Sequence, residues 1–170
     1  MKRGTHTFLE DERNQNINIF INDKIYKRDE ALISVFDSGF LLGDGVWEGI
    51  RLLNGQLVFI DQHIDRLYHG AKKLDINIDY SKKDLISLIY KVIELNSMYD
   101  GVHIRLIISR GLKKTPYQHP NANIGKSTIV IIPEYKKADV SINNQGIRLV
   151  SVKTKRPTSE IQDPRLNSLS

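Results

Sequence analysis

His63 and Arg66, in the segment HIDRL, stand one helical turn apart and so share a helix face. A guanidinium offers a planar fork that grips phosphate oxygens in pairs, which a lysine ammonium cannot do. The pair therefore has two readings, a solvated surface pair or an anchor for a phosphate. Just upstream lie a Gly43-Asp44-Gly45 turn, an aromatic and an acid side by side at Trp47 and Glu48, and an apolar strand ending at Asn54-Gly55.

Other chemistries are excluded by what is missing. The chain has no cysteine, so disulfides, zinc–thiolate sites and cysteine nucleophiles are ruled out. Histidines at 6, 63, 69, 103 and 119 show no metal-ligand spacing, and neither a nucleophile triad nor a phosphate-cradling glycine loop is present. The 25 basic and 20 acidic residues leave a charge of +5, spread as short Lys-Lys pairs rather than a run. With no nucleic-acid module beside that charge, no nucleic-acid partner is expected. No apolar run reaches membrane-spanning length, and MKRGTHTFLEDERNQ lacks the apolar stretch of a signal peptide. The expectation is a cytoplasmic protein without membrane contact.

These residues need elements to hold them. Residues 1–16 are polar and read as a mobile lead-in. Alternation over Ile17–Ile21 predicts a strand that turns at Asn22-Asp23 into Lys24–Tyr26. A second hairpin joins VWEGIRLL to QLVFI through Asn54-Gly55, the strongest short hairpin signal. Asp61 is placed to cap a helix carrying Ile64, Leu67, Ala71 and Leu74 at helical spacing. Ser81 and Asp84 form a capping box for a second helix with Leu85, Leu88, Ile89, Val92 and Ile93 on one face. Strands follow over Val102–Ser109 and in STIVIIP (127–133), separated by a Gly/Lys/Pro/His-rich loop.

The predicted fold class is α+β: a small domain over 17–135, with a mainly antiparallel sheet covered by two helices. Residues 136–146 read as a connector. Ile147–Val152 reads as the first strand of a larger second domain that begins in 147–170 and is truncated.

The ordered set GDGVWEGIR, an Asn-Gly hairpin and HIDRL resembles the N-terminal part of the class IV (fold-type IV) pyridoxal-phosphate aminotransferases. That family includes branched-chain and D-amino-acid aminotransferases and aminodeoxychorismate lyase. The resemblance implies pyridoxal 5′-phosphate as cofactor and Arg66 as the residue that contacts its phosphate. It also implies Arg105, in HIRLIISRG, as a contact to the substrate carboxylate, although a strand arginine can equally be a solvent-facing charge. Phe40 stands where relatives commonly carry a pocket tyrosine, so it offers an apolar wall and no hydroxyl. Trp47 would shape the substrate side. The loop arginine and histidine of D-amino-acid enzymes fall on Thr115 and Tyr117, which argues against a D-alanine pocket and leaves Tyr117 as a pocket donor.

In relatives, a lysine amine forms a Schiff base with the cofactor and moves the substrate α-proton. The matching stretch here is DPRLNSLS, with Asn167 in the lysine position. Three explanations stand open: a slipped register with a lysine beyond Ser170, a subgroup without the amine, or a chain cut before its active site is complete. The leading expectation is an incomplete part of a transaminase that passes an amino group between an amino acid and a 2-oxo acid. EGIR points to the branched-chain type, and the family to a homodimer. The rivals are an inactive homologue acting as a binding or regulatory dimer, and an aminodeoxychorismate lyase-like enzyme.

Overall fold

Every second residue of Gly45–Leu53 from Val46 onward (Val46, Glu48, Ile50, Leu52) is buried, as are Val102, Ile104, Leu106 and Ile108 of Val102–Ser109. A strand points successive side chains to opposite faces, so each of these strands presents one dry face and one wetter one. In the computed structural model, which describes residues 10–136, 144, 146–147, 149–155, 158–161 and 163–170, they pair antiparallel at the heart of a six-stranded sheet. The strands are β1 (Asn18–Ile21), β2 (Lys24–Lys27), β3 (Gly45–Leu53), β4 (Gln56–Leu57), β5 (Val102–Ser109) and β8 (Thr128–Tyr135), in spatial order β2-β1-β8-β5-β3-β4. A separate two-stranded hairpin, β6 (Leu112–Lys113) with β7 (Asn123–Ile124), lies within the long loop. All the ladders are antiparallel, and the α+β class read from the sequence is the one observed.

Two fourteen-residue helices, α2 (Ile60–Lys73) and α3 (Lys82–Leu95), cover the dry face. They bury Ile64, Leu67 and Ala71 of α2 and Leu85, Ile89, Val92 and Ile93 of α3 into the same core as Val46, Ile50, Leu106 and Ile131. Each fully buried Ile or Leu contributes about 1.5–3 kcal/mol, so this face supplies most of the folding drive. Ser81 caps α3 as its sequence suggests: its hydroxyl accepts from the Asp84 N–H at 3.1 Å and donates to the Asp84 carboxylate at 2.6 Å.

Several expectations need correction. The strand foreseen over QLVFI stops at Leu57; the Val58 N–H still bonds the Arg51 carbonyl at 2.9 Å, and the chain then leaves the ladder for the helix that starts at Ile60. Phe59, in a left-handed conformation (φ 51°), rather than Asp61, then precedes α2, and Asp61 sits in the first turn. There its carboxylate complements the exposed N–H groups of the helix end. Residues 1–9 of the lead-in lie outside the described residues, but Glu12–Asn16 is an ordered 3-10 turn. The Asn14 amide accepts from the Tyr135 N–H (2.8 Å) and donates to the Tyr135 carbonyl (3.0 Å), and the Arg13 guanidinium stacks on the Tyr135 ring at 3.6 Å. A short helix, α1 (Ser38–Leu42), capped by Asp37, has no apolar periodicity long enough to announce it.

Arg148 of the strand expected over Ile147–Val152 is outside the described residues; the remainder is not extended into a ladder, and Leu149, Val150 and Val152 are exposed. A strand exists only by pairing, and no described strand runs beside it. Farther on, the chain runs beside β3. After a 3-10 turn at Pro164–Leu166, the Asn167 carbonyl accepts from the Trp47 N–H at 3.0 Å, Ser168 bridges Val46, and the Leu169 N–H donates to the Gly45 carbonyl at 2.9 Å. Gly70 on α2 makes room for it: a Cβ there would stand 2.7 Å from the Leu166 carbonyl oxygen.

Candidate functional site

Glu48 belongs to the core-facing set of β3 and its side chain has 0% exposure. A carboxylate removed from water is strongly disfavoured unless it is paired and hydrogen-bonded. α2 supplies both partners, one turn apart. Arg66 donates from Nε to Oε1 and from Nη2 to Oε2, each at 2.6 Å, and His63 Nδ1 lies 2.7 Å from Oε2. The hydrogen bond to Glu48 raises the Arg66 pKa above its ordinary value, outweighing the opposing effect of burial. Glu48 thereby fixes the plane of a guanidinium whose side chain is still 46% exposed. Of the five N–H donors of an arginine, two are committed to Glu48, and among the described residues the other three are not hydrogen-bonded and are available to a second anion.

Position 167 lies along the edge of β3, beside Trp47. Asn167 adopts the left-handed conformation (φ 49°, ψ 44°), which an asparagine tolerates better than most residues. Its Nδ2 donates to the Trp47 carbonyl at 3.2 Å, on the peptide that joins Trp47 to Glu48.

The opposite face of β3 and β5 carries different chemistry. The Arg105 guanidinium lies 4.1 Å from the centre of the Trp47 ring. His103 packs over Gly49, where a Cβ would come within 2.8 Å of its Nε2. Burial, reinforced by the positive charges of Arg105, Arg51 and Lys136, pushes the His103 pKa down to about 4, so the imidazole is neutral among cations. Arg51 is itself tied to the Lys136 carbonyl.

The residues singled out from the sequence are thus divided. Arg66 joins Glu48 and His63, with Asn167 at the adjoining strand edge, while Trp47 and Arg105 meet on the other face. Phe40 on α1 and Tyr117 in the long loop are 71% and 73% exposed, and among the described residues neither is hydrogen-bonded or stacked with either group. The sequence marked Glu48 only as part of the EGIR motif and His103 only as one of five histidines, and gave neither a place in the site. An acid in phase with Val46, Ile50 and Leu52 is a signal for a buried, partnered carboxylate. His103 is out of phase with the buried set of β5, and nothing in the sequence separates it from an ordinary surface histidine. Arg110 completes the frame. It donates to both oxygens of Asp44 (2.7 and 3.0 Å) and to the carbonyls of Leu74 and Asp75 (2.7 and 2.6 Å), pinning the Gly-Asp-Gly turn to the end of α2.

Residues 45–170 match the family model described as amino-transferase class IV. The chain is 34% identical over 154 residues to branched-chain-amino-acid aminotransferase-like protein 2 of Arabidopsis thaliana, covering 91% of this chain and 27% of that protein. A putative branched-chain-amino-acid aminotransferase of Methanocaldococcus jannaschii is 34% identical over 154 residues, with coverages of 89% and 51%. The D-alanine aminotransferase of Listeria innocua is 39% identical over 101 residues, with coverages of 59% and 34%. Among solved structures, the branched-chain amino acid aminotransferase of Escherichia coli superposes with a TM-score of 0.62 at 22% identity, over 70% of this chain and 40% of that one. The chain belongs to the class IV aminotransferase family. It spans between about a quarter and a half of the length of these curated relatives.

Proposed function

We propose that this chain provides the cofactor-phosphate grip and one substrate wall of a protein built for exchanging an amino group between an amino acid and a 2-oxo acid. The observation that carries the reading is Arg66: its fork is held in one plane by the buried Glu48 and His63, with three donors left over. Pyridoxal 5′-phosphate, the cofactor of the family, supplies an electron sink for the carbanion formed when the substrate α-proton leaves. The residues present suit its phosphate, which Arg66 would hold and orient. They do not suit its aldehyde, since position 167 offers an amide and no amine.

Arg105, steadied on the Trp47 ring, is suited to pair with a substrate carboxylate, while Trp47 and Phe40 offer apolar surface to an aliphatic side chain. Those features, with relatives named as branched-chain enzymes, favour a branched-chain substrate. Exposed Leu32, Val35, Phe40 and Tyr117 support a homodimer in which this surface meets the neighbouring subunit. In the same reading, 17–135 is the small domain, 136–146 the connector and 147–170 the start of a larger domain, in a cytoplasmic protein.

Asn167 favours a second reading: a homologue that keeps the fold and binds without turnover, as a regulatory or binding dimer. The test is amino transfer from leucine to 2-oxoglutarate by the full-length gene product with pyridoxal phosphate. Glutamate formed at a rate that scales with enzyme supports the first reading. Saturable cofactor binding without transfer from leucine or glutamate supports the second, and pyruvate released from aminodeoxychorismate would replace both by the lyase.

A further inference from the structure

We infer that this site holds a phosphorylated pyridine by charge and hydrogen bonding, without a covalent bond to this chain, and so does not distinguish the aldehyde form from the amine form. The inference rests on the proposed phosphate grip of Arg66 and deepens it.

Three observations carry it. First, the backbone pairing fixes which residue lies beside Trp47: Asn167 exchanges hydrogen bonds with it, Ser168 bridges Val46, and Leu169 bonds to Gly45. Ser168 and Leu169 run antiparallel to β3 and therefore away from Glu48. A one-residue slip would turn every side chain of the segment to the other face and break this pairing. Second, the Asn167 side chain is already engaged: its amide nitrogen donates to the Trp47 carbonyl. An amide nitrogen has no free lone pair to attack an aldehyde, and it takes up no proton near neutral pH. Third, no other amine among the described residues is hydrogen-bonded to the site. Among the described residues, the polar contacts of Glu48, His63, Arg66 and Asn167 involve no lysine. Lys113, the buried lysine, instead donates to Asn123 at 2.7 Å across the β6–β7 hairpin.

An aldehyde-selective site needs something that reacts with the aldehyde. Here recognition falls on the phosphate, through Arg66, and that group is common to pyridoxal 5′-phosphate and pyridoxamine 5′-phosphate.

The experiment is equilibrium dialysis of the full chain against each of the two compounds, followed by borohydride reduction and peptide mass mapping. Dissociation constants within about twofold of each other, and no stoichiometric adduct at a single lysine, are expected. Arg66→Lys should weaken both by a similar factor, about tenfold or more, since the fork is lost while the charge is kept. Asn167→Lys should prefer the aldehyde by about tenfold or more. In that variant the lysine nitrogen bonds the aldehyde carbon with loss of water, and borohydride then fixes the bond as a secondary amine at position 167. A wild-type protein that prefers the aldehyde tenfold, or yields a one-to-one reduced adduct, overturns the inference and leaves the phosphate grip intact. Failure of either compound to bind saturably overturns the grip itself, and the inference with it.

Discussion

Trp47 and Glu48 are neighbours in the chain and belong to opposite worlds. Glu48 faces α2, has no exposed surface, and has a partner at each carboxylate oxygen. Trp47 faces the open side, where Arg105 stacks on its ring and His103 stays neutral beside three cations. Under the helices a charge is tolerated only when completely paired, so the cluster is rigid and its geometry is set in advance. On the open face water shares the work, and cations can gather with stacking and burial as the only restraints. A phosphate grip suits the first environment and an adaptable substrate wall the second. The strand edge that Asn167 lines is where the two meet.

The largest expected break is Arg66→Ala. It strands the buried Glu48 carboxylate with His63 alone and should cost about 3–5 kcal/mol of stability in urea titrations. Glu48→Leu combined with Arg66→Met should recover much of that, because no charge is then left buried. If the single variant loses less than about 1 kcal/mol, the cluster is not the paired unit described.

Acid should act through the open face. His103 has a folded-state pKa near 4 against an ordinary 6.5, so between those values the unfolded chain binds the extra proton. The stability it contributes is therefore complete above about pH 6.5 and is lost as pH falls toward 4. In His103→Phe that part of the acid dependence should vanish, and the difference between variant and wild type should be flat above pH 6.5. A difference that grows above pH 7 would contradict the assignment.

Gly70→Ala addresses the edge. Helix propensity gains about 1 kcal/mol, but the new Cβ would meet the Leu166 carbonyl oxygen at 2.7 Å. Global stability should move by less than about 1 kcal/mol while the Leu169 amide, bonded to Gly45, exchanges its hydrogen faster. Unchanged protection at Leu169 would show that the segment is held by something else. The smallest effect is the stacking of Arg105 on Trp47. A double-mutant cycle of Arg105→Ala and Trp47→Leu should give a coupling of about 0.5–1 kcal/mol.

Much of this was legible without coordinates. The Asn54-Gly55 hairpin, the Ser81–Asp84 cap, the two covering helices and the antiparallel sheet follow from local rules: side-chain period, capping groups and residues that tolerate positive φ. Arg66 as a phosphate contact and Asn167 as an amide in the lysine position were expectations that the family resemblance implied, each resting on the kind of side chain at a position in a motif. The docking of Glu12–Asn16 on Tyr135, the left-handed Phe59 and the return of Asn167–Leu169 to β3 were not legible, since each depends on a partner far along the chain.

Residue chemistry and periodicity alone thus determined the elements and the side chains available for chemistry, the amide at position 167 among them, while a resemblance of motifs pointed to the family. Only the tertiary structure decided that Glu48 is the acid Arg66 grips, that Arg105 and Trp47 occupy the other face, and that Asn167 lies beside Trp47 at the edge of β3. The physical reason is that a strand distributes neighbouring residues to opposite faces, and a buried charge finds its partner across space rather than along the sequence.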